Sequence, residues 1–456
     1  MLPPLLLTLK DEPMRGAKRL AWILLGVLVS PALWAQAEAV QFRLDNGLRV
    51  VVQPDDRAPV VVTQVWYQVG SADEPPGLTG ISHVLEHMMF KGTPTVPAGE
   101  FSRVVSHMGG DDNAFTTDNY TVYYQNHVAD RLALALEMEA DRMQHAIIDP
   151  AAFASELQVV MEERRLRTDD NPQALAYERF QLMAYPSSSQ RNPTVGWMDD
   201  LKQLTAADAK DWYQRWYAPN NAVLVVVGDV QPEQVKALAQ KYFGDIAARD
   251  LPRRASSREL ASPGERRMTL TLPGQVPAVF IAYNWPSLSS AVGAQDAYAL
   301  RLLAGVLDEG ISARLERKVV RAGKAAAVRS GYDILSRGDT LFTITAAPAQ
   351  EQSLAALEEA VLAPVLALRE ELVTQAEIDR VQANVIAQSV FVRDEVDDQA
   401  QLLGRLASNH LALDWADGYA DQLKRITPEQ LREVAKRYLT NDRLSVLHMH
   451  VKGAQQ

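Results

Sequence analysis

The chain has 456 residues, of which 47% are hydrophobic and 23% charged. That composition is enough for two ordinary domains with sizeable cores and excludes a disordered polypeptide. Its formal charge of −11 makes nucleic acid an unsuitable partner and favours a cationic over an anionic peptide. With no cysteine, the protein has neither disulfides nor thiolate metal sites, so a bound metal must be held by His, Asp or Glu.

Arg15, Lys18 and Arg19 precede an apolar run from Leu20 to Val29 and the small-residue site Ala35-Gln36-Ala37. This is the plan of a secretory signal peptide over residues 1–37, cleaved after Ala37, and it leaves Met14 as an alternative start to Met1. The run is short for a bilayer span, and nothing after residue 37 is long and apolar enough to cross, so no stable membrane anchor is expected. Removing residues 1–37 takes away four basic and two acidic groups and moves the charge from −11 to −13. An exported protein is expected, in the periplasm.

Strand-like runs come next, "LRVVVQ" from Leu48 and "VVVTQVWYQVG" from Val60. A helix then carries "ISHVLEH", residues 81–87. Positions i and i+4 share a helix face, so His83 and His87 can turn both imidazoles toward one ion. Glu86 lies near the rim of that face, within reach of a water at the ion without being a ligand. Zinc suits such a nitrogen-rich site; the alternative is the polar side of a solvated helix. A catalytic zinc site has a third protein ligand and keeps one position open.

The segment "DPAAFASELQVVMEERRLR", residues 149–167, supplies a candidate. Phe153, Glu156, Leu157, Val160 and Glu163 fall on one stripe by steps of three and four, which puts two carboxylates on the apolar face. Buried carboxylates need a partner or a metal; arginines of the same helix are the competing partners. Glu162 falls off the stripe and is expected in solvent.

The chain is written twice. "LKQLTAADAKDWYQRWYAPNNAVLVVV" from Leu201 aligns without gaps against "LKRITPEQLREVAKRYLTNDRLSVLHM" from Leu423, an offset of 222. The same offset sets "ISHVLEH" against "LAGVLDE", residues 303–309, so that His83, Glu86 and His87 meet Gly305, Asp308 and Glu309. The helix is copied and its chemistry is not. Between the copies, "ARDLPRRASSRELASPGERR", residues 248–267, reads as a linker. Strand-like runs alternate with helical patterns in both halves. The expected fold is therefore α+β: two homologous α/β domains, 38–247 and 268–456, each a mostly antiparallel sheet packed against helices.

These residues resemble the pitrilysin-type zinc peptidases, whose HxxEH motif inverts the commoner HExxH order. In that family the third zinc ligand is a glutamate about 75 residues beyond the second histidine, seven residues after a supporting carboxylate. Glu163 lies 76 residues after His87 and Glu156 seven before Glu163. The resemblance thus implies one Zn2+ per chain on His83, His87 and Glu163, with Glu156 in support and Glu86 as the base. The family pattern G-x-x-N-A-x-T stands here as "GDDNAFT", Gly110 to Thr116, and implies that the backbone around Asn113 and Ala114 pairs with an extended peptide. "YAPNNAVLVVVGD", residues 217–229, and the duplicated second half extend the likeness through the mature chain.

Active relatives carry an arginine and a tyrosine in the second half that stabilise the substrate carbonyl. The matching stretch is "VVRAGKAAAV", residues 319–328, where Arg321 corresponds to the arginine but Ala326 stands at the tyrosine position. Alanine donates no hydrogen bond to an oxyanion. Tyr332, six residues beyond, is a weak substitute. The expectation is a zinc-dependent endopeptidase for peptides or unfolded segments, acting as the catalytic subunit of a heterodimer whose paralogous partner supplies the missing Arg/Tyr pair. The alternative is a non-catalytic peptide-binding subunit with a structural zinc. His448 and His450 alternate on the last strand and are expected on the solvated face of an edge strand. His107, His127, His145 and His410 are given no role, and Tyr120, Tyr123 and Tyr124 are divided between groove and core.

Overall fold

Valine-rich and threonine-rich runs form strands because a β-branched side chain keeps its preferred rotamer on a pleated surface. In the computed structural model, which describes residues 38–452 apart from 255–257, 261 and 275, the first half contributes β1 (Val40–Arg43), β2 (Arg49–Pro54), β3 (Val60–Tyr67), β4 (Asp111–Thr116), β5 (Thr121–Val128) and β6 (Ala222–Gly228). They make one sheet in the order β1-β2-β6-β3-β5-β4. The second half contributes β7 (Arg266–Leu272), β8 (Ala278–Trp285), β9 (Ala325–Gly331), β10 (Thr340–Pro348) and β11 (Leu444–Val451), in the order β7-β11-β8-β10-β9. The expected signal peptide and part of the expected linker lie outside the described residues. No described helix is long and apolar enough to cross a membrane.

Without β1 the two sheets have the same strand order, and each has one parallel pair at the same place, β2 with β6 and β7 with β11, among otherwise antiparallel neighbours. The helices repeat as well. Thr205 and Thr427 each cap a helix, Ala206–Trp216 and Pro428–Tyr438, through a reciprocal capping box with Asp208 and Gln430. The α+β expectation and its internal duplication hold at the level of topology.

Each half lends a helix to the other's sheet. Helix Pro172–Ala184 lays Ala176, Phe180 and Ala184 on Ala278, Phe280, Leu341, Leu447 and Met449 of the second sheet. Helix Val396–Ser408 lays Ala400, Leu403 and Ala407 on Val62, Trp66, Val223 and Val225 of the first. Both faces of each sheet are covered, which is why β6 and β8 are buried along their whole length and read as continuous apolar runs without alternation. The approach is tight at Gly404, where a Cβ would stand 2.0 Å from Trp66 Cε2.

Two expectations are corrected. The stretch 248–267 is not all linker, since β7 begins at Arg266. Its earlier part is strapped down: Arg249 Nη1 donates to the Tyr213 and Gln214 carbonyls at 2.7 and 2.8 Å, and Arg254 Nη2 donates to Asn221 Oδ1 at 2.7 Å. The last strand, β11, is not an edge strand but lies between β7 and β8. His448 is accordingly half-buried, with Nε2 2.7 Å from Glu358 Oε2, which also takes an ion pair from Arg267.

Candidate metal centre

The motif occupies helix Ile81–Met88, entered through Gly80 at φ 88°. Only glycine takes that left-handed conformation without strain, and a Cβ there would stand 2.5 Å from the Val195 carbonyl oxygen. No N-cap side chain serves this helix. Instead the carboxylate of Glu74 reaches up from the preceding loop, accepting the Gly80 N–H at 2.7 Å and the Ser82 N–H at 2.8 Å. Burial pushes Glu74 up to about 7 against the pull of these two donors. Trp212 Nε1 donates to Ser82 Oγ at 3.1 Å and ties the helix to Ala206–Trp216.

Helix Pro150–Arg164 lies across it. Its N-terminus is fixed by Asp149, whose side chain accepts the Ala151 and Ala152 N–H groups, and by Pro150 in the first turn. Phe153, Leu157 and Val160 are buried as the stripe required, Glu156 and Glu163 are half-buried, and Glu162 is in solvent beside Arg165. Arg164, which the sequence reading passed over, is 2% exposed and is held by Glu178 at 2.8 Å and the Gly196 carbonyl at 2.7 Å. It anchors the C-terminal turn that carries Glu163.

These two helices bring His83, His87 and Glu163 together, with one potential ligand atom from each within 4.8 Å of the others; among the described residues no other group of three or more His, Asp or Glu does so. His83 Nε2 is 3.7 Å from Glu163 Oε2, close to the separation of about 3.4 Å that two ligands of a tetrahedral zinc adopt. His83 Nδ1 and Glu163 Oε2 are buried without a hydrogen-bond partner; for the carboxylate oxygen, which faces the histidines, this fits a place for a cation. Arg167, one of the competing arginines, does pair with Glu163, but at the other oxygen, Oε1, 3.3 Å away. The residues present therefore fit zinc.

The electrostatics agree. Burial, with His87 and Arg167 nearby, lowers His83 to about 3, so its imidazole is neutral and able to ligate. Burial alone would raise Glu156, but Lys91 at 2.6 Å and His87 hold it below the usual carboxylate range. Glu156 Oε2 is 3.3 Å from His87 Nδ1, which leaves the other ring nitrogen of His87 free. Burial raises Glu86, opposed by a hydrogen bond from Thr116 Oγ1 at 2.5 Å.

Asn113 and Ala114 lie on β4, whose second edge has no strand beside it among the described residues. Asn113 Oδ1 accepts the Ala114 N–H at 2.9 Å. Arg321 is not part of this cluster; it is exposed and pairs with Glu316 at 3.1 Å. Tyr332 is no substitute for a tyrosine at Ala326, because its hydroxyl donates to the Pro286 carbonyl at 2.5 Å and its ring packs edge-on against Trp285. Tyr123 is core, its hydroxyl paired with that of Tyr217 at 2.9 Å, while Tyr120 packs on Trp66 and lines a cavity of about 320 Å³ between the halves. At the positions equivalent to the motif, Asp308 accepts the Ser330 N–H at 2.5 Å and Glu309 pairs with Arg301, both structural duties. Lys91 and Thr116 were not singled out in the sequence; Thr116 closes the G-x-x-N-A-x-T pattern, and Glu74 left no local signal.

The family model described as Insulinase (Peptidase family M16) matches residues 49–196, and one described as Peptidase M16 inactive domain matches residues 203–385. The chain is 32% identical over 365 residues to the zinc protease PqqE of Helicobacter pylori, covering 79% of this chain and 81% of that one. It is 26% identical to the uncharacterized zinc protease YmxG of Bacillus subtilis, covering 88% and 96%. Among solved structures, a protease from Helicobacter pylori superposes with a TM-score of 0.85 at 29% identity, covering 91% of this chain and all of that one. The first half of the periplasmic protease PqqL from Escherichia coli shares the fold, with a TM-score of 0.75 at 20% identity over 91% and 92% of the chains. The chain belongs to the insulinase family of zinc peptidases, peptidase family M16.

Proposed function

We propose that the chain is a zinc-dependent endopeptidase of the periplasm that hydrolyses peptides or unfolded segments, with a preference for cationic ones. The observation that carries this reading is a buried carboxylate, Glu86, on the same helix as two of the three candidate ligands and bonded to the last residue of β4, the strand that ends its sheet among the described residues. The periplasmic part rests on the signal-peptide pattern and on the printed description of PqqL.

His83, His87 and Glu163 would hold the ion, which when bound supplies Lewis acidity toward the scissile carbonyl and toward water. Glu86 takes the proton of the attacking water on its free oxygen and passes it to the nitrogen of the leaving amine. The backbone at Asn113 and Ala114 accepts an extended peptide as an added strand, which fixes the register without demanding one sequence. Neither of the two tyrosine positions serves an oxyanion: Ala326 offers no donor and the Tyr332 hydroxyl is committed. That deficit favours a paralogous subunit that brings an arginine and a tyrosine, so the chain acts as the zinc-bearing half of a heterodimer.

The test is chelator-sensitive cleavage of a mixture of cationic and neutral peptides by the zinc-loaded chain, with Glu86→Gln alongside. Glu86→Gln is expected to bind zinc and cleave nothing. A variant that cleaves like the wild type would sink the mechanism and leave the non-catalytic reading, in which the zinc is structural. Cleavage that appears only with a paralogue added would establish the heterodimer.

A further inference from the structure

Thr116 is the last residue of β4 and the cross-strand partner of Thr121 on β5. Its hydroxyl has one hydrogen and two acceptors within reach, Glu86 Oε2 at 2.5 Å and Thr121 Oγ1 at 3.3 Å. Thr121 is buried and spends its own hydrogen on the Val69 carbonyl at 3.0 Å, so Thr121 Oγ1 can only accept from Thr116. The shorter, charge-assisted bond takes the hydrogen, and Thr116 donates to Glu86. With Oε2 so engaged, Oε1 is the oxygen left for a proton. Ala114 shares the Thr116 face of β4 two residues earlier, by the two-residue period of a strand, and is partly buried against the same core as the motif helix. One face of β4 therefore holds the base, while its unpaired edge is the place for a substrate strand.

We propose that Thr116 is a positioning residue: its hydroxyl orients the Glu86 carboxylate and couples the base to the strand on which the peptide is laid. The inference rests on the endopeptidase reading above, and nothing in the sequence pattern that ends at Thr116 assigns its hydroxyl this duty. The hydrogen bond, not the bulk of the side chain, is the active element. Serine should serve in its place, and valine, which has the same shape without the donor, should not.

The experiment compares Thr116→Val and Thr116→Ser with the wild type and Glu86→Gln, all as full zinc-loaded chains. Four quantities are measured: zinc affinity by competition with a chromogenic chelator, kcat and KM on a quenched fluorescent cationic peptide, affinity for that peptide in the Glu86→Gln background, and the Glu86 rotamer in crystals. Thr116→Val is expected to lower kcat about 10- to 100-fold, to leave zinc and peptide affinity within about twofold, and to release Glu86 from its rotamer. Thr116→Ser should retain most of kcat and the rotamer. An unchanged Glu86 rotamer in Thr116→Val overturns the proposal whether or not the chain turns over alone. So does a serine variant that falls as far as valine, or a loss confined to peptide affinity. Failure of the parent reading looks different, because wherever the wild type cleaves, alone or with a paralogue, Glu86→Gln would then cleave equally.

Discussion

Glu156 Oε2 stands 3.3 Å from His87 Nδ1 while its other oxygen is 2.6 Å from Lys91 Nζ. One carboxylate thus sets the tautomer of a candidate ligand and is itself held by a cation on the loop after the motif helix. Removing its charge leaves all three ligands in place but ends the ion pair with Lys91 and weakens the bond that orients His87. Glu156→Gln should weaken zinc binding by about 10- to 100-fold, read by competition titration against a chelator of known affinity. An affinity equal to that of the wild type would show that His87 is oriented by something else.

Tyr332 offers a sharp negative test. Its hydroxyl is bonded to Pro286 and its ring is packed against Trp285, so it has nothing to give a substrate. Tyr332→Phe is expected to keep kcat, with a loss of stability of about 1 kcal/mol from the part-buried hydrogen bond. A hundredfold fall in kcat with an unchanged melting temperature would return Tyr332 to the oxyanion role.

The exchanged helix Val396–Ser408 predicts a substitution that defies helix propensity. Alanine is a better helix former than glycine, yet at Gly404 its Cβ would stand 2.0 Å from the Trp66 ring. Gly404→Ala should destabilise the chain by roughly 1–3 kcal/mol through overpacking, seen as a lower midpoint in urea unfolding. A stabilised variant would mean that the helix stands off the sheet.

The acid limb of stability should be carried in part by Glu377. Burial would raise its pKa, but bonds from Arg314 and from the Thr374 backbone and hydroxyl outweigh it and hold the carboxyl down at about 2, against an ordinary 4.5. A depressed acid contributes stability that is fully present above the unfolded value and is lost as pH falls from about 4.5 toward about 2. Glu377→Gln leaves the buried guanidinium of Arg314 with only Glu371, 3.8 Å away, as a charged partner. It should therefore cost roughly 3 kcal/mol at neutral pH and flatten the dependence of unfolding free energy on pH in that window. Parallel curves for the variant and the wild type would remove Glu377 from the acid response.

The order of residues alone set out the local elements and the candidate metal-binding residues, which the fold brings together. A four-residue spacing puts His83 and His87 on one helix face whatever surrounds it, and the seven-residue step from Glu156 to Glu163 puts both carboxylates on one stripe. The duplication was legible because capping boxes and apolar strands are local features that survive copying, down to Thr205 and Thr427. The tertiary structure decided what depends on residues distant in the chain. The last strand read as an edge because its histidines alternate, but pairing on both sides made it internal and gave His448 to Glu358. Nothing local announces that Pro172–Ala184 and Val396–Ser408 cover each other's sheets, since an amphipathic helix shows that it has an apolar face and not which sheet that face will meet. Glu74 at the motif helix, Lys91 at Glu156 and Thr116 at Glu86 follow the same rule. A hydrogen bond needs approach within about 3 Å and good alignment, and only the folded chain brings these groups that close.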